Sequence, residues 1–407
     1  MSLDVTKIRK DFPFFEKSDL AYLDNSATTQ RPRQVVEAVM DYQYHHNSNP
    51  FRGLYELSID ATERYEAART RVAKFINASS DKEIIFTRNA SESLNLVAFS
   101  LGEMCLNEGD EVITTVVEHH SNMLPWRHAA MRHGAKVKYL ECEPDGSFSL
   151  EKFKSLLSEK TKIVSMTAMS NIFGRIIDVK SFADEAHKVG AYFVADGAQS
   201  VPHSITDVQK MDVDFLAFSG HKLLAPMGIG VLYGKEEILK KMPPFLTGGE
   251  MIEYVTLEDV TYAGLPHKFE AGTVNAGGAV GLAAAIDYLE EIGLHNIEER
   301  ELELTRLALD GIKKIPHVIV LGSDKAEEHH GIITFKIEGV HPHDIAAIIA
   351  DSGVAVRAGH HCAEPLHQFL GIPSTTRASL MFYNTEEEVE RFLDVVSNIR
   401  KMMGYSE

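Results

Sequence analysis

Cysteine is scarce in this chain: Cys105, Cys142 and Cys362 are its only three in 407 residues. So few thiols cannot build a disulfide framework, and none has the paired spacing of a zinc site. Cys105 and Cys142 stand in ordinary contexts and read as inert thiols. Positive charge is also short, with 41 Lys and Arg against 59 Asp and Glu, a net charge of −18. That balance speaks against a nucleic-acid partner, because a phosphate backbone demands basic patches. No run approaches the ~18 apolar residues of a membrane span. The start, Met1-Ser2-Leu3-Asp4-Val5-Thr6-Lys7, has no apolar signal region. No membrane partner is expected, and a cytoplasmic location is. Internal repeats and low-complexity linkers are missing too.

What is present is a globular composition, 44% hydrophobic and 25% charged, on a chain long enough for two domains. Short apolar runs at 83–87, 111–115, 135–140 and 163–166 predict strands. Amphipathic stretches at 91–101, 149–157 and 181–189 predict helices, with Ser149 a cap for the second. Such alternation predicts an α/β fold with a mostly parallel sheet covered on both faces. Beyond Gly277 a long amphipathic stretch, 279–314, predicts one connecting helix into a smaller domain. That domain carries expected strands at 331–335 and 354–357 and a final helix over 385–403. Its acidic opening, Glu386-Glu387-Glu388, suits a helix N-terminus.

The chemistry concentrates in a few segments. Val194-Ala195-Asp196-Gly197-Ala198-Gln199-Ser200 precedes Ser219-Gly220-His221-Lys222, each closing an apolar run. Pyridoxal phosphate (PLP) needs that pair: a carboxylate to keep its ring nitrogen protonated and an amine to hold its aldehyde as a Schiff base. Alone, Asp-Gly marks a turn and a Lys is a solvated charge; together they lead to a cofactor site. Thr87-Arg88-Asn89-Ala90-Ser91-Glu92-Ser93 joins a strand to a helix and offers either an anion site for a phosphate or simply an N-cap at Asn89 or Ser91.

His119, in Glu118-His119-His120-Ser121-Asn122, follows a strand and could stack on a pyridine ring and move protons. A metal pair with His120 is disfavoured, since neighbouring strand residues point to opposite faces. No metal is expected. Cys362, in Arg357-Ala358-Gly359-His360-His361-Cys362-Ala363, sits in a polar loop among imidazoles and an arginine. Cations there would draw a thiol below its usual pKa of ~8.5, which favours a nucleophile over a small buried hydrophobe. Arg377 precedes a strand and could clamp a carboxylate or serve a structural ion pair.

Together these segments resemble the cysteine desulfurases within the class-V aminotransferase family of fold-type-I PLP enzymes, closest to the SufS-like (type II) branch. The resemblance runs from Tyr22-Leu23-Asp24-Asn25-Ser26-Ala27-Thr28-Thr29 to Tyr383-Asn384-Thr385-Glu386-Glu387-Glu388. Its most specific part is the Cys362 loop, where the family's sulfur-accepting cysteine stands. It implies a large PLP-binding domain over 21–278 with a mostly parallel sheet between helices. A connecting helix and small α+β domain follow over 279–407, with residues 1–20 packing on the small domain.

By the same resemblance Lys222 is the Schiff-base lysine, Asp196 the ring-nitrogen partner, Gln199 the partner of the ring hydroxyl and His119 the stacking residue. Ala90, Ser91, Ser219 and His221 match phosphate-binding positions, and Thr273 one that reaches the phosphate from the other subunit of a homodimer. Asn171 and Arg377 match groups that hold the substrate carboxylate, and Arg357 an arginine near the thiol. The chain departs from relatives in Asn89-Ala90-Ser91 for Gly-Thr-Thr, Phe51 and Tyr55 for histidines, and Leu224-Ala225-Pro226-Met227-Gly228 after the lysine.

The implied activity converts L-cysteine to L-alanine and leaves a persulfide on Cys362. That sulfur then passes to an acceptor protein of the SufU or SufE type for iron–sulfur cluster assembly. His341-Pro342-His343-Asp344 resembles a segment that offers a histidine to a zinc-bearing SufU-type acceptor; Asp344 as cap of a helix over 345–351 is the other reading. Rival activities are selenocysteine lyase or another class-V PLP aminotransferase or lyase, which Cys362 argues against. A catalytically silent scaffold has no need of Lys222, Asp196, His119 and Cys362. A dinucleotide-binding dehydrogenase would need Gly-x-Gly-x-x-Gly in its first strand–helix turn, and none is there.

Overall fold

The computed structural model describes residues 3–405. Its larger sheet has seven strands: β1 (Ile84–Thr87), β2 (Glu111–Thr115), β3 (Lys136–Leu140), β4 (Thr161–Thr167), β5 (Tyr192–Asp196), β6 (Phe215–Ser219) and β7 (Gly230–Gly234). They lie in the order β1-β7-β6-β5-β4-β2-β3. Only β7 runs against its neighbours; the other pairings are parallel. Parallel strands need both faces covered, and the residues supply it. Along β5, Phe193 and Ala195 join one apolar cluster while Val194 joins the other. Ile84 and Ile85 of β1 divide the same way, as a two-residue period requires.

Helix α1 (Glu56–Phe75) packs on one side, and α2 (Ala90–Cys105) with the helix Leu124–His133 on the other. Asn89, Ser149 and Thr385 cap their helices through side-chain oxygens, and Thr385 forms a capping box with Glu388.

The stretch 279–314 is two helices rather than the single one expected. Helix α3 (Ala276–Ile292) lies against α1, and α4 (Leu294–Ile312) turns away to the second sheet. Gly293 breaks them with φ 89° and ψ 117°, a conformation no helix accepts and glycine adopts freely. The amphipathic period continues across the break, so periodicity alone did not reveal it.

The second sheet, β8 (Val318–Val320), β9 (Ile332–Ile337), β10 (Arg357–Gly359) and β11 (Thr375–Ser379), is antiparallel in the order β8-β9-β11-β10. It packs against α4, α5 (Pro342–Asp351) and α6 (Glu386–Met402) around Leu304, Phe335, Ile349 and Phe392. The expected strand at 354–357 divides: Val354–Ala355 pairs with Ala21–Tyr22, while Arg357 begins β10. Helix α5 starts at Pro342 with His341 as its cap, not Asp344, because proline already supplies the first-turn φ. Near the N-terminus Phe12 packs on Tyr288, Phe382 and Tyr383, and Arg9 pairs with Glu388. No described helix is long and apolar enough to cross a membrane.

Candidate active site

The parallel strands end on one edge of the large sheet, where open α/β folds bind ligands. From those ends come His119 after β2, Asn171 after β4, Asp196 and Gln199 at β5, and Ser219, His221 and Lys222 at β6. They converge on a cavity of about 420 Å³. Ala90 and Ser91 at the start of α2 line it too, and Arg357, Cys362 and Arg377 reach it from the second sheet and the loop beside it. Thr273 does not; it is exposed on a second cavity beside Glu270 and Asn275. His343 stands exposed on the first turn of α5, away from the cavity.

Local packing explains the phosphate-side wall. Gly230 of β7 pairs with both Thr87 and Ser219. A Cβ on Gly230 would lie 2.5 Å from the Asn89 Cα, so only glycine lets the α2 turn sit this close. As a result Ala90 N donates to Ser219 Oγ at 2.8 Å. Asn89 takes the capping role by accepting from Glu92 N, which leaves Ser91 to pair with Ser121 Oγ at 2.6 Å.

Buried charge shapes the floor. Asp196 accepts from Ala198 N at 2.9 Å through one oxygen, and burial pushes its pKa up against that bond and against Lys222. Burial pulls the Lys222 amine down to about 8, with Asp196 opposing. His119 falls to about 3, chiefly through burial and then through Lys222. It is therefore neutral, and because Ser121 N donates to its Nδ1 at 3.1 Å, its proton is on Nε2. His221 falls to about 4 for the same leading reason.

Behind them Glu118, fully buried, accepts from Thr115 Oγ1 at 2.5 Å, Asn122 Nδ2 at 2.6 Å and Thr167 N at 3.0 Å. Burial nonetheless raises it to about 8. It ties the His119 turn to β4, and its place directly before His119 was the one signal that could have flagged it.

The opposite wall is built by arginines. Arg377, buried, donates to Asn171 O at 2.9 Å, and burial lowers it to about 10, so it stays charged. Arg357 is exposed and binds Asp24 at 2.8 Å, while Arg377 stands 3.8 Å from the other oxygen of that carboxylate. Asp24 thus spaces two cations, the nearer of them 333 residues away along the chain, which no sequence pattern reveals.

Cys362 is exposed, unlike buried Cys142 and half-buried Cys105, whose thiols burial pushes up to about 11 and about 12. It and His361 both hold left-handed backbone, φ 56° and 51°, a conformation costing roughly 1–2 kcal/mol per non-glycine residue. The loop is clipped where Asn171 Nδ2 donates to His361 O at 2.8 Å and His120 N to Cys362 O at 2.7 Å. Among the described residues no cluster of His, Cys, Asp or Glu is placed to hold a metal.

The residues fit PLP. Gln199 donates to Ser26 O at 3.0 Å yet leaves a buried Oε1 with no partner, an acceptor awaiting a donor. Asp196 and Lys222 offer the carboxylate and amine, and the α2 N-terminus with its serines offers the anion site.

Comparison with known proteins agrees in kind. Residues 21–392 match the model of the family described as aminotransferase class-V. The chain is 43% identical to a cysteine desulfurase of Haloferax volcanii, over 99% of this chain and 98% of that one. The fold is similar to the apo structure of a cysteine desulfurase from Thermococcus onnurineus, with TM-score 0.94, 42% identity and 99% of each chain covered. It is also similar to the Escherichia coli cysteine desulfurase CsdA in its S-sulfonic acid form, with TM-score 0.91 and 37% identity over 99% and 100% of the two chains.

Proposed function

This chain belongs to the class-V aminotransferase family, and from that premise we propose that it is a cysteine desulfurase. It takes L-cysteine, releases L-alanine and keeps the sulfur as a persulfide on Cys362. The observation that carries the reading is an exposed thiol lining the same cavity as buried Asp196 and half-buried Lys222.

PLP, when bound, supplies an aldehyde and a ring that accepts electrons. Asp196 would keep a proton on its ring nitrogen, Gln199 would accept from its ring hydroxyl through the unpartnered Oε1, and neutral His119 would stack on it and carry protons. Ala90, Ser91, Ser219 and His221, which line the cavity, would hold its phosphate. Lys222 would hold the cofactor's aldehyde, and its amine, which burial lowers to about 8, is suited to moving a proton at neutral pH. Asn171, Arg357 and Arg377 orient the substrate carboxylate. Cys362 thiolate then attacks the substrate sulfur: the S–S bond forms as the carbon–sulfur bond breaks, and the alanine skeleton keeps the electron pair and takes up a proton.

The working unit is a homodimer, with Thr273 reaching the neighbouring subunit's phosphate site. The PLP-binding domain extends through helix α3, which lies against α1, and the smaller domain follows from Gly293, with the N-terminal segment around Phe12 packing where the two meet. The persulfide goes to an acceptor of the SufU or SufE type for iron–sulfur cluster assembly, and the exposed His343 is the contact for a zinc-bearing one. The test is alanine release from L-cysteine by cofactor-loaded protein with a reductant, beside Cys362→Ser. Alanine from the wild type alone is expected; alanine from both, or from neither, refutes the assignment. His343→Ala is expected to keep basal turnover and lose stimulation by a SufU-type acceptor, and full stimulation would remove that contact.

A further inference from the structure

The hydrogen bonds beside Cys362 form a chain whose direction is set by its ends. The Ala363 carbonyl can only accept, so His367 Nδ1, 3.0 Å away, carries a proton. His367 is buried, and burial lowers its basicity, so the ring is neutral and its Nε2 is an acceptor. The Thr375 hydroxyl fills that acceptor at 3.0 Å. With its single proton so committed, Thr375 Oγ1 can only accept from its other neighbour. His361 therefore donates Nε2–H across 3.1 Å and is held as one tautomer, its Nδ1 buried and unpartnered. One buried hydroxyl on β11 thus ties down the residues on both sides of Cys362. His360 Nε2 adds a bond to Pro373 O at 2.8 Å, anchoring the loop's start to the same segment.

We propose that Thr375 and His367 are positioning residues for the Cys362 thiol: the chain Ala363–His367–Thr375–His361 holds the loop in its left-handed turn and so sets where the sulfur stands. Two consecutive left-handed residues persist only where their surroundings dictate it, and neither Thr375 nor His367 lines the cavity. They act through the loop. This deepens the reading of Cys362 as the sulfur acceptor and rests on it.

The test compares Thr375→Val, which deletes the hydroxyl, with Thr375→Ser, which keeps it, both as cofactor-loaded protein. Thr375→Val is expected to speed amide exchange in the Cys362 loop by about tenfold, and to lower kcat for alanine release with little change in KM. Thr375→Ser is expected to stay near wild type in both. Unchanged exchange in Thr375→Val, or equal losses in the two variants, would overturn the proposal. Faster exchange in Thr375→Val beside a wild type that makes no alanine would uphold the positioning role while the desulfurase reading fell. If Thr375→Val does not fold, nitrogen NMR of histidine-labelled wild type decides. Nε2–H on His361 with Nδ1–H on His367 is expected, and the opposite pair would refute the chain.

Discussion

The two walls of the cavity are made in different ways. The cofactor side is the ends of parallel strands: Asp196, Gln199 and Ser219 are buried, placed by β5 and β6, and held by backbone geometry. The thiol side is a loop with Cys362 exposed and its backbone left-handed, held by side-chain bonds from Asn171, Thr375 and His367 and by the backbone of His120. A group that binds a cofactor for the life of the enzyme needs rigidity. On the proposed reading, a sulfur that must meet substrate inside the cavity and an acceptor outside it needs exposure, and a loop provides that.

Breaking the rigid wall should cost most. Lys222→Ala is expected to lower alanine release by about 10³-fold or more, and dialysis against buffer should then strip the yellow absorbance faster than from wild type. Asp24→Asn acts at the junction of the walls by freeing Arg357 and Arg377 from their shared carboxylate. Its KM for L-cysteine should rise about tenfold with the cofactor retained, and an unchanged KM would show that Asp24 does not orient the arginines. Ser91→Ala is expected to weaken cofactor binding about fivefold in a fluorescence titration, one hydrogen bond's worth.

The smallest effect is on stability. Lys222 is protonated less readily in the fold than in the unfolded chain, so its burial costs stability at neutral pH. That cost diminishes as pH rises from about 8 towards lysine's ordinary value, because there the unfolded chain binds the extra proton. Lys222→Met should raise the apo protein's Tm by a few degrees at pH 7 and by less at pH 10. A gain independent of pH would assign the effect to packing instead.

Much of the fixed wall was legible along the chain, because its information is local. Strand 111–115 and the cap at Ser149 depend on periods and neighbours a few residues apart. Asp196 and Lys222 stand out because each ends an apolar run. The break at Gly293 was hidden by an amphipathic period that continues across it, and the two partners of segment 354–359 were not legible because they depend on what the chain packs against. Asp24, Thr375 and His367 were missed for the same reason: none has a local pattern, and each acquires meaning only from a residue brought to it by folding.

By itself, then, the order of residues determined most of the strands and helices of the large domain, and which side chains could do PLP chemistry, for those follow from short-range stereochemistry and intrinsic reactivity. Tertiary structure alone decided that Asp24 would space two arginines, that Gly230 would admit the α2 turn beside Ser219, and that Thr375 would give His361 its tautomer. Distances between chain-distant groups, and the proton positions they impose, exist only once the two sheets have met.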